Sequence, residues 1–526
     1  SIDPITNRHS GGTVQIRYAT SNNTGKIKKA LVIADPFDPS PLLDASNMNL
    51  GRILDKPEDY GFITDSIDMN NYDIVYVDNN NGIDDIRKNA TLFEEAMDLI
   101  NSPTYRNADA APNIVMGISM GGLVARYALR KMEMQGKDHK TWKYISIDSP
   151  HKGANVPVGL QAALRHISSF DVSIGFIKLF RLSKQVPILE DALKVLNSPA
   201  AKQMLIYNVN YTGTGYDNSI HTAFLTEYEQ MGFPQKCQNI AVSNGNIEGT
   251  QLFAPGSQLF EVNYRKSLSS YLEYVNIINI LNPLYTLIPI SNRPQLMLNI
   301  IPGKTSFGLY ADIYGINTTA NSIVYSGSLK LHKKILWLIN SSVTLTSSSL
   351  RAQQDMYPID GATGGIVNLD DYMDSIPDDF IPFIKQTKFC FIPRGSSLAL
   401  NDWNTNYTAN LQGVDLFSSG KTEFEYVSMS PTIAEPHVTF DASKQFVINQ
   451  LKDKPISPNT FQSIFCGNQN VTLSNPQNAP LTWTVTDNMF GITSPTNTSA
   501  TITSAPTVRS AILTIGSTNT YPLRKR

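Results

Sequence analysis

The feature that most constrains this chain is a Gly-x-Ser-x-Gly pentapeptide, Gly117–Gly121, between an apolar run and an amphipathic segment. The preceding run, Ile114–Met116, suits a buried parallel strand, and apolar residues recur at helical spacing from Leu123 onward. A sharp strand-to-helix turn strains the backbone of its central residue, so small residues are needed on both sides. The pattern therefore predicts that the hydroxyl of Ser119 is exposed at the carboxyl edge of a sheet, as a candidate nucleophile.

Composition limits the classes of protein to which the chain can belong. Its 526 residues suffice for a large, elaborated domain together with a small one. The net charge is −2, and no basic run precedes the last few residues, which argues against a nucleic-acid partner. The cysteines are far apart and form no Cys-x-x-Cys pair, so neither a disulfide framework nor a zinc site is indicated. They are Cys237, Cys390 and Cys466. We expect no metal and no cofactor.

Apolar runs and amphipathic segments alternate from residue 28 to about residue 150. Further strand-like runs are Ala30–Ala34, Tyr72–Val77 and Tyr144–Ile147, and the segment Asp84–Asn101 carries apolar residues at steps of three and four. This alternation predicts an α/β fold with a doubly wound, mostly parallel sheet. Ligands of such sheets bind beyond the carboxyl ends of the strands. Four polar residues fall there, namely Asp35, Asp78, Ser119 and Asp148.

Two long segments interrupt this pattern. The sequence pattern of residues 155–235 predicts mostly helices. Residues 252–385 mix helical and strand-like pieces without regular alternation. We interpret both as cap insertions that fold over the sheet edge, with a separate domain as the alternative for the second. A strand is predicted between them at Asn239–Val242. Sheet pattern returns at Lys388–Pro393, and a closing helix is predicted over Ala442–Leu451.

The composition changes after Lys454. Short runs rich in Thr, Ser, Asn and Val, such as 481–486 and 511–515, are separated by Asn, Pro, Gly and Ser. Such runs are typical of a small immunoglobulin-like β-sandwich. We therefore expect a catalytic domain at 1–454 and an all-β module at 455–526.

A serine hydroxyl needs a base to remove its proton, and His437 is the best candidate among seven histidines. Where a serine in this kind of turn is the nucleophile, the chain order is serine, acid, histidine. His437 lies after the last apparent strand and before the closing helix, so it satisfies this order. His151 competes for a role in the site, although its Pro-His-Lys-Gly context favours shaping the loop. His9 comes too early in the chain. The remaining four fall in helical or insert segments, where solvated or core positions are the usual explanation; they are His139, His166, His221 and His332.

The acid that would orient the histidine is less clearly marked. Asp148 ends the strand after the Ser119 helix and therefore lies on the same sheet edge. The commoner place for this acid is one strand later, where Glu248 follows Asn244-Gly245 and Asp360 lies in Ile-Asp-Gly. Asp402 and Asp415 are further alternatives.

The negative oxygen that develops during attack on a carbonyl needs two backbone donors. The N–H of Met120 follows the nucleophile, and the N–H of Phe37 lies in the loop after the first apolar strand. Pro36 has no N–H to give, which singles out Phe37. A core aromatic that closes the loop is the alternative role of Phe37.

Together, these segments resemble the lipases and esterases of the α/β-hydrolase superfamily, most of all bacterial proteins of the lipase and GPI-inositol-deacylase-like group. The resemblance covers about 28–153 and 388–451. It is carried by Gly117-Ile-Ser-Met-Gly-Gly-Leu-Val-Ala-Arg-Tyr-Ala-Leu, Ile147-Asp-Ser-Pro-His-Lys-Gly-Ala, Phe391-Ile-Pro-Arg-Gly-Ser-Ser and His437.

The chain departs from that family at two places. Where such lipases usually have His-Gly before the oxyanion donor, this chain has Asp35-Pro36. Where many have Asp-Gly before the Val-Pro-x-x-Ser-Ser-like segment, it has Phe389-Cys390. The second departure leaves the usual acid position empty and favours Asp148 on the preceding strand, as in pancreatic-type lipases.

The resemblance implies a secreted or cell-envelope bacterial serine ester hydrolase that acts on an ester-containing small molecule, lipid or polymer. The C-terminal module would then contact a cell surface or polymer. An amidase, peptidase or acyltransferase would use the same three side chains, because they fix acyl transfer but not the leaving group. The alternative from another class is a non-catalytic adhesin or binding protein on the same fold.

Overall fold

A computed structural model describes most of the chain up to Lys452 and only strand segments after it. The described residues are 11–39, 70–169, 171–174, 177–181, 187–267, 303–335, 338–369, 383–405, 407–439, 441–452, and seven strands between 464 and 525. His9 and Cys466 lie outside the described residues, as do parts of the predicted second insertion and of the C-terminal module.

A seven-stranded sheet forms the centre of the fold. Its strands are β1 (Gly12–Arg17), β2 (Ile27–Ala34), β3 (Asp73–Asn79), β4 (Arg106–Ile118), β5 (Thr141–Ile147), β8 (Gln238–Asn246) and β16 (Tyr426–Ser430). They lie in the order β1-β3-β2-β4-β5-β8-β16, and only β1 is antiparallel to its neighbour. The mostly parallel sheet predicted from the sequence is therefore confirmed, with β4, which ends just before Ser119, at its middle.

Helices cover both faces of this sheet, as expected for a doubly wound arrangement. Helices α1 (Ile86–Asn101) and α2 (Met120–Met134) pack on one face, and α8 (Lys444–Lys452) packs on the other. The Asp85 side chain caps α1 by accepting from the Arg87 N–H. Strands such as β3 and β5 are buried on both faces, which explains why their sequences are largely continuous apolar runs.

The first insertion is mostly helical, as predicted. It contains α3 (Val158–Ser168), α4 (Pro187–Asn197), α5 (Pro199–Met204) and α6 (Ser219–Met231), with a short hairpin of β6 (Asp171–Ile174) and β7 (Ile177–Arg181). Tyr228 of α6 and Phe233 just after it join the hydrophobic core that α2 shares with the sheet. This insertion therefore packs directly beside the helix that follows Ser119.

The second insertion is a sheet in the part that the structure describes. The antiparallel strands are β9 (Gln258–Ser267), β10 (Gly303–Tyr314), β11 (Ile323–Ile335), β12 (Ile339–Arg351) and β14 (Phe383–Ile384). One face of this sheet packs on α3 of the first insertion, so the two insertions share a core. The helical pieces expected here are not seen among the described residues, beyond a 3-10 turn at Ile359–Gly361.

The strand predicted at Lys388–Pro393 is present as β15, but it is not part of the central sheet. It pairs antiparallel with β13 (Gly364–Asn368) in a separate two-stranded sheet, and a short helical turn, α7 (Arg394–Ser397), follows it. The last strand of the central sheet is β16, which the sequence analysis missed. Its burial is intermediate at most positions, so its sequence lacks the apolar run that marks the inner strands.

The described residues of the C-terminal region form seven short strands. They are β17 (Ile464–Phe465), β18 (Val471–Ser474), β19 (Trp483–Val485), β20 (Phe490–Thr493), β21 (Ser499–Ser504), β22 (Ser510–Ile515) and β23 (Asn519–Lys525). They form one sheet of four strands and one of three. Packing of these sheets into an immunoglobulin-like sandwich stays a prediction. Across the described residues, no helix is both long and apolar enough to span a membrane.

Candidate active site

Ser119 lies on a strained turn between β4 and α2. Its φ is 53° and its ψ is −126°, a conformation that non-glycine residues rarely adopt. The turn is possible because the residues two positions before and after the serine, Gly117 and Gly121, have no side chains. A Cβ on Gly117 would lie 2.4 Å from the Cα of Gly122, and a Cβ on Gly121 would lie 2.3 Å from the carbonyl oxygen of Ala34. The glycines that define the motif are thus required by close packing around the serine.

His437 lies within hydrogen-bonding distance of this serine. Its Nε2 is 2.9 Å from the Ser119 Oγ. The loop that carries it follows β16, and the His437 N–H donates to the carbonyl oxygen of Ile366 at 2.9 Å. The Phe391 ring packs edge-on against the imidazole, with centroids 5.1 Å apart. The histidine is therefore held by backbone and ring contacts from the strand pair β13 and β15.

Asp148 lies on the opposite side of the imidazole. Its Oδ2 is 2.7 Å from the His437 Nδ1, and its Oδ1 accepts from the Asn244 N–H at 3.1 Å. The side chain is fully buried, and the φ of Asp148 is 43°. Because a carboxylate only accepts, Nδ1 is the donor of this pair and Nε2 is free to accept from the serine hydroxyl. The structure thus brings Ser119, His437 and Asp148 into one hydrogen-bonded chain.

The other carboxylates considered for the acid lie elsewhere. Asp360 is buried, accepts from the Ile316 N–H at 2.7 Å and from the Asn155 side chain at 3.1 Å, and so links the second insertion to the loop after β5. Asp402 forms an ion pair with Lys421 at 2.6 Å. Glu248 and Asp415 are exposed. The carboxylate beside the imidazole is instead that of Asp148.

The remaining described histidines have partners away from Ser119. His151 is buried between the hydroxyls of Ser146 and Tyr228, and burial lowers its pKa well below the usual value. This supports its role in shaping the loop. The others contact nearby groups, namely Glu133 for His139, Tyr325 for His166, Gln203 for His221 and Tyr310 for His332.

The two candidate oxyanion donors lie at the start of α2 and in the loop after β2. Met120 is the first residue of α2, so its N–H has no carbonyl one turn earlier to bind. Phe37 lies three residues beyond β2, and its side chain is half-buried against two hydrophobic clusters. Its ring therefore has the core role that was the alternative for this residue.

Sequence reasoning missed two residues that support the site. A Cβ on Gly365 would lie 1.9 Å from the Asp148 Oδ2, so only glycine fits beside this carboxylate. Arg394 is buried and donates to the carbonyl oxygens of Asn246 and Ala409, both at 2.6 Å. Arg394 was seen as part of a motif, but its contacts brace loops and do not reach Ser119. No periodicity marks either residue.

A cavity of about 320 Å³ lies in the second insertion, away from Ser119. It is lined by Gly256, Tyr314, Asn317, Ser322, Ile323 and Ser326. It contains no residue of the Ser119 cluster. In the part of the chain that the structure describes, no three His, Cys, Asp or Glu side chains are placed to hold a metal ion.

Comparison with known proteins gives only distant similarities. No protein-family model matches the chain, and no curated protein matches its sequence. Solved structures that resemble it include the mature form of the Bacillus licheniformis lipase BlEst2, at 13% identity, 46% of this chain, 75% of that chain and a TM-score of 0.27. Est1E from Butyrivibrio proteoclasticus is 12% identical over 45% of this chain and 77% of that one, with a TM-score of 0.23.

A third such structure is the thermophilic carboxylesterase EstE1, cloned from a metagenomic library. It is 12% identical over 45% of this chain and 67% of that one, with a TM-score of 0.25. TM-scores this low carry no argument about fold or function. The case for a function therefore rests on the strand order and the side-chain geometry of this chain.

Proposed function

We propose that the chain is a serine ester hydrolase of the α/β-hydrolase superfamily, with Ser119 as nucleophile, His437 as general base and Asp148 as the orienting acid. The observation that carries this proposal is the pair of hydrogen bonds at 2.9 and 2.7 Å that joins the three side chains. A mostly parallel sheet with the nucleophile turn at the carboxyl end of its middle strand fits that superfamily.

The geometry supports the following acylation step. The Ser119 Oγ attacks the ester carbonyl carbon while its proton passes to the Nε2 of His437, which is aligned to accept it. Charge develops on the carbonyl oxygen, and the N–H groups of Met120 and Phe37 are proposed to bind it. The proton on Nε2 is then given to the leaving alkoxide, which departs as the alcohol and leaves an acyl ester on Ser119.

Deacylation repeats this sequence with water. His437 takes a proton from the water as its oxygen attacks the acyl carbon, and it returns that proton to the Ser119 Oγ when the carboxylic acid leaves. Asp148 keeps the Nδ1 proton in place and stabilises the imidazolium that forms in both steps. No metal or cofactor enters this scheme.

Strain at the site argues against the binding-protein alternative. Both Ser119 and Asp148 have positive φ, a conformation that costs stability in residues with side chains. A fully buried carboxylate adds a further cost of desolvation. A protein without catalytic use for these residues would gain stability by losing them, so the arrangement favours an enzyme.

We also propose the two-part domain organisation that the sequence predicts. Residues 1–454 would form the catalytic domain and 455–526 an immunoglobulin-like module that contacts a cell surface or polymer. Secretion or attachment to the cell envelope suits such a module. An ester of a lipid or polymer would then be the natural substrate.

A chain-length series of p-nitrophenyl esters, compared with the matching p-nitroanilides, tests the proposed reaction. We expect the wild type to hydrolyse the esters, and we expect Ser119→Ala to reduce this turnover by about 10⁴-fold or more. The anilides should react far more slowly, since an amine is a poorer leaving group than a phenolate. Faster anilide than ester turnover would favour the amidase alternative, and equal rates for wild type and Ser119→Ala would remove the serine from the mechanism.

A further inference from the structure

A buried carboxyl group lies directly behind the loop that carries Phe37. Asp35 follows the last residue of β2, and it is only 1% exposed. The hydroxyl of Tyr76 donates to its Oδ1 at 2.5 Å, and the Asn79 backbone N–H and side-chain amide approach its Oδ2 at 3.3 Å. Tyr76 and Asn79 both belong to β3, so the carboxyl ties the loop to the neighbouring strand.

The same loop is also fixed from the side of the nucleophile. A Cβ on Gly121 would lie 2.3 Å from the Ala34 carbonyl oxygen and 2.8 Å from that of Asp35. The backbone of the loop therefore rests on the first turn of α2, next to Ser119. Pro36 lies between Asp35 and Phe37, and its ring fixes its φ. The position of Asp35 therefore restricts the position of Phe37.

We propose that the hydrogen bond between Tyr76 and Asp35 is a positioning device for the oxyanion hole, which holds the loop so that the Phe37 N–H faces the same point as the Met120 N–H. This inference rests on the proposed function. Asp35 acts through Phe37 and touches no reacting atom, so it is a positioning residue. It stands where the resembling lipases have a His-Gly pair.

The electrostatics of the pair suit this role. Burial raises the pKa of the Asp35 carboxyl well above its usual value; the hydrogen bond from Tyr76 opposes this rise, and the neighbouring carboxylates of Asp78 and Asp38 add to it. Burial and Asp35 also raise the pKa of Tyr76, which keeps its hydroxyl protonated as a donor.

A purely structural role would affect folding without affecting turnover, and a second buried tyrosine provides the control. Tyr72 lies just before β3, at the far end from the site, is 1% exposed, and donates its hydroxyl to the Leu451 carbonyl oxygen at 2.7 Å. Tyr72→Phe and Tyr76→Phe each delete one buried hydroxyl and its hydrogen bond. Only the second deletion touches the loop of Phe37.

The experiment measures kcat and KM with p-nitrophenyl butyrate, together with fluorophosphonate labelling of Ser119, in the full-length wild type and both variants. We expect kcat of Tyr76→Phe to fall about tenfold to a hundredfold at a KM within about threefold of wild type. Tyr72→Phe should keep kcat within about twofold, even if it melts earlier. Equal kcat values for the two variants would overturn the inference.

Substitutions of Asp35 decide the matter should Tyr76→Phe fail to fold. Asp35→Asn keeps a neutral acceptor for the Tyr76 hydroxyl, so it should retain more of the wild-type kcat than Asp35→Ala does. Equal kcat in these two variants would also count against the inference. A wild type that neither hydrolyses esters nor labels at Ser119 would instead overturn the proposed function, so the two failures differ.

Discussion

Gly365 lies against the carboxylate of Asp148 so closely that no side chain fits between them. A Cβ on Gly365 would be 1.9 Å from the Asp148 Oδ2 and 3.2 Å from the His437 Nδ1. The next residue, Ile366, exchanges backbone hydrogen bonds with the histidine loop, donating to Glu435 at 3.0 Å and accepting from His437 at 2.9 Å. Strand β13 of the second insertion thus packs against Asp148 and holds the loop of His437 in place. The geometry of the site depends on this insertion.

Gly365→Ala should therefore impair turnover with little effect on substrate binding. The added methyl group must displace the Asp148 carboxylate, whose other oxygen accepts from Asn244. Because the carboxylate is buried, we expect this displacement to lengthen its hydrogen bond to His437. We expect kcat to fall about a hundredfold, as misplacements of about 1 Å can cost. The measurement is steady-state kinetics on a p-nitrophenyl ester.

Gly315→Ala is the matched control for this change. Gly315 also lies in the second insertion, and the atom nearest to an added Cβ, the Asp360 Oδ2, would be 3.4 Å away, an ordinary contact. Its kcat should stay within about twofold of wild type. A Gly365→Ala variant as active as Gly315→Ala would show that the position of the carboxylate matters little.

The identity of the acid is tested by two aspartates that are equally buried. Asp148→Asn preserves shape but favours the wrong imidazole tautomer, so kcat should fall about 10⁴-fold. Asp360→Asn should keep kcat within about tenfold and lower the melting temperature, because Asp360 accepts from Ile316 and Asn155 and not from His437. Circular-dichroism melts beside the kinetics separate the two effects. The reverse pattern would assign the acid to Asp360.

The strands and helices around Ser119 could be predicted because local pattern determines them. The apolar runs of β2, β3 and β5 and the amphipathic pattern of α1 are visible without knowledge of the fold. Strand β16 could not be found in this way, since its residues are only partly buried and show no apolar run. The insert sheet was also missed as a sheet, although short turns join β10, β11 and β12, because a polar strand such as β12 shows no apolar run.

The residues of the candidate site likewise differ in how far the sequence marks them. Ser119 stands in a local motif, and His437 follows from chain order, so both are visible in the sequence. Asp148 needed a comparison of alternatives, because 289 residues separate it from His437 and no spacing rule links them. Gly365 and Tyr76 act only through tertiary contacts with Asp148 and Asp35, and a lone glycine or tyrosine gives no signal of such contacts.

The buried His151 should make stability depend on pH. Burial lowers its pKa, so the folded protein keeps it neutral while the unfolded chain protonates it below about pH 6.5. Stability from this residue is complete above that pH and declines as the pH falls below it. His151→Gln should therefore lose less free energy of unfolding than wild type between about pH 7.5 and about pH 5.5.

Urea unfolding at the two pH values measures this difference, and His332→Gln is the control. His332 is less buried than His151, so its variant should keep most of the wild-type pH dependence. Identical pH dependence in wild type and His151→Gln would mean that the folded protein protonates His151 as readily as the unfolded chain does.

Removal of the C-terminal region should leave an active enzyme. The residues of the candidate site and every strand of the central sheet precede Lys454, and Leu451, which must be kept, accepts the Tyr72 hydrogen bond. We expect a chain that ends at Lys454 to be soluble, with kcat/KM for a small ester within about threefold of the full chain. Insoluble or inactive protein would indicate that the module covers apolar surface of the catalytic domain.

The most direct test of the account is to ask whether Ser119 is an activated nucleophile. The full-length protein is treated with a fluorophosphonate, and the modified residue is identified by peptide mass spectrometry while ester hydrolysis is followed in parallel. The account predicts a single adduct on Ser119, loss of hydrolysis in proportion to labelling, no adduct in Ser119→Ala, and slower labelling of Asp148→Asn. An unmodified Ser119 in a protein that still hydrolyses esters would contradict it.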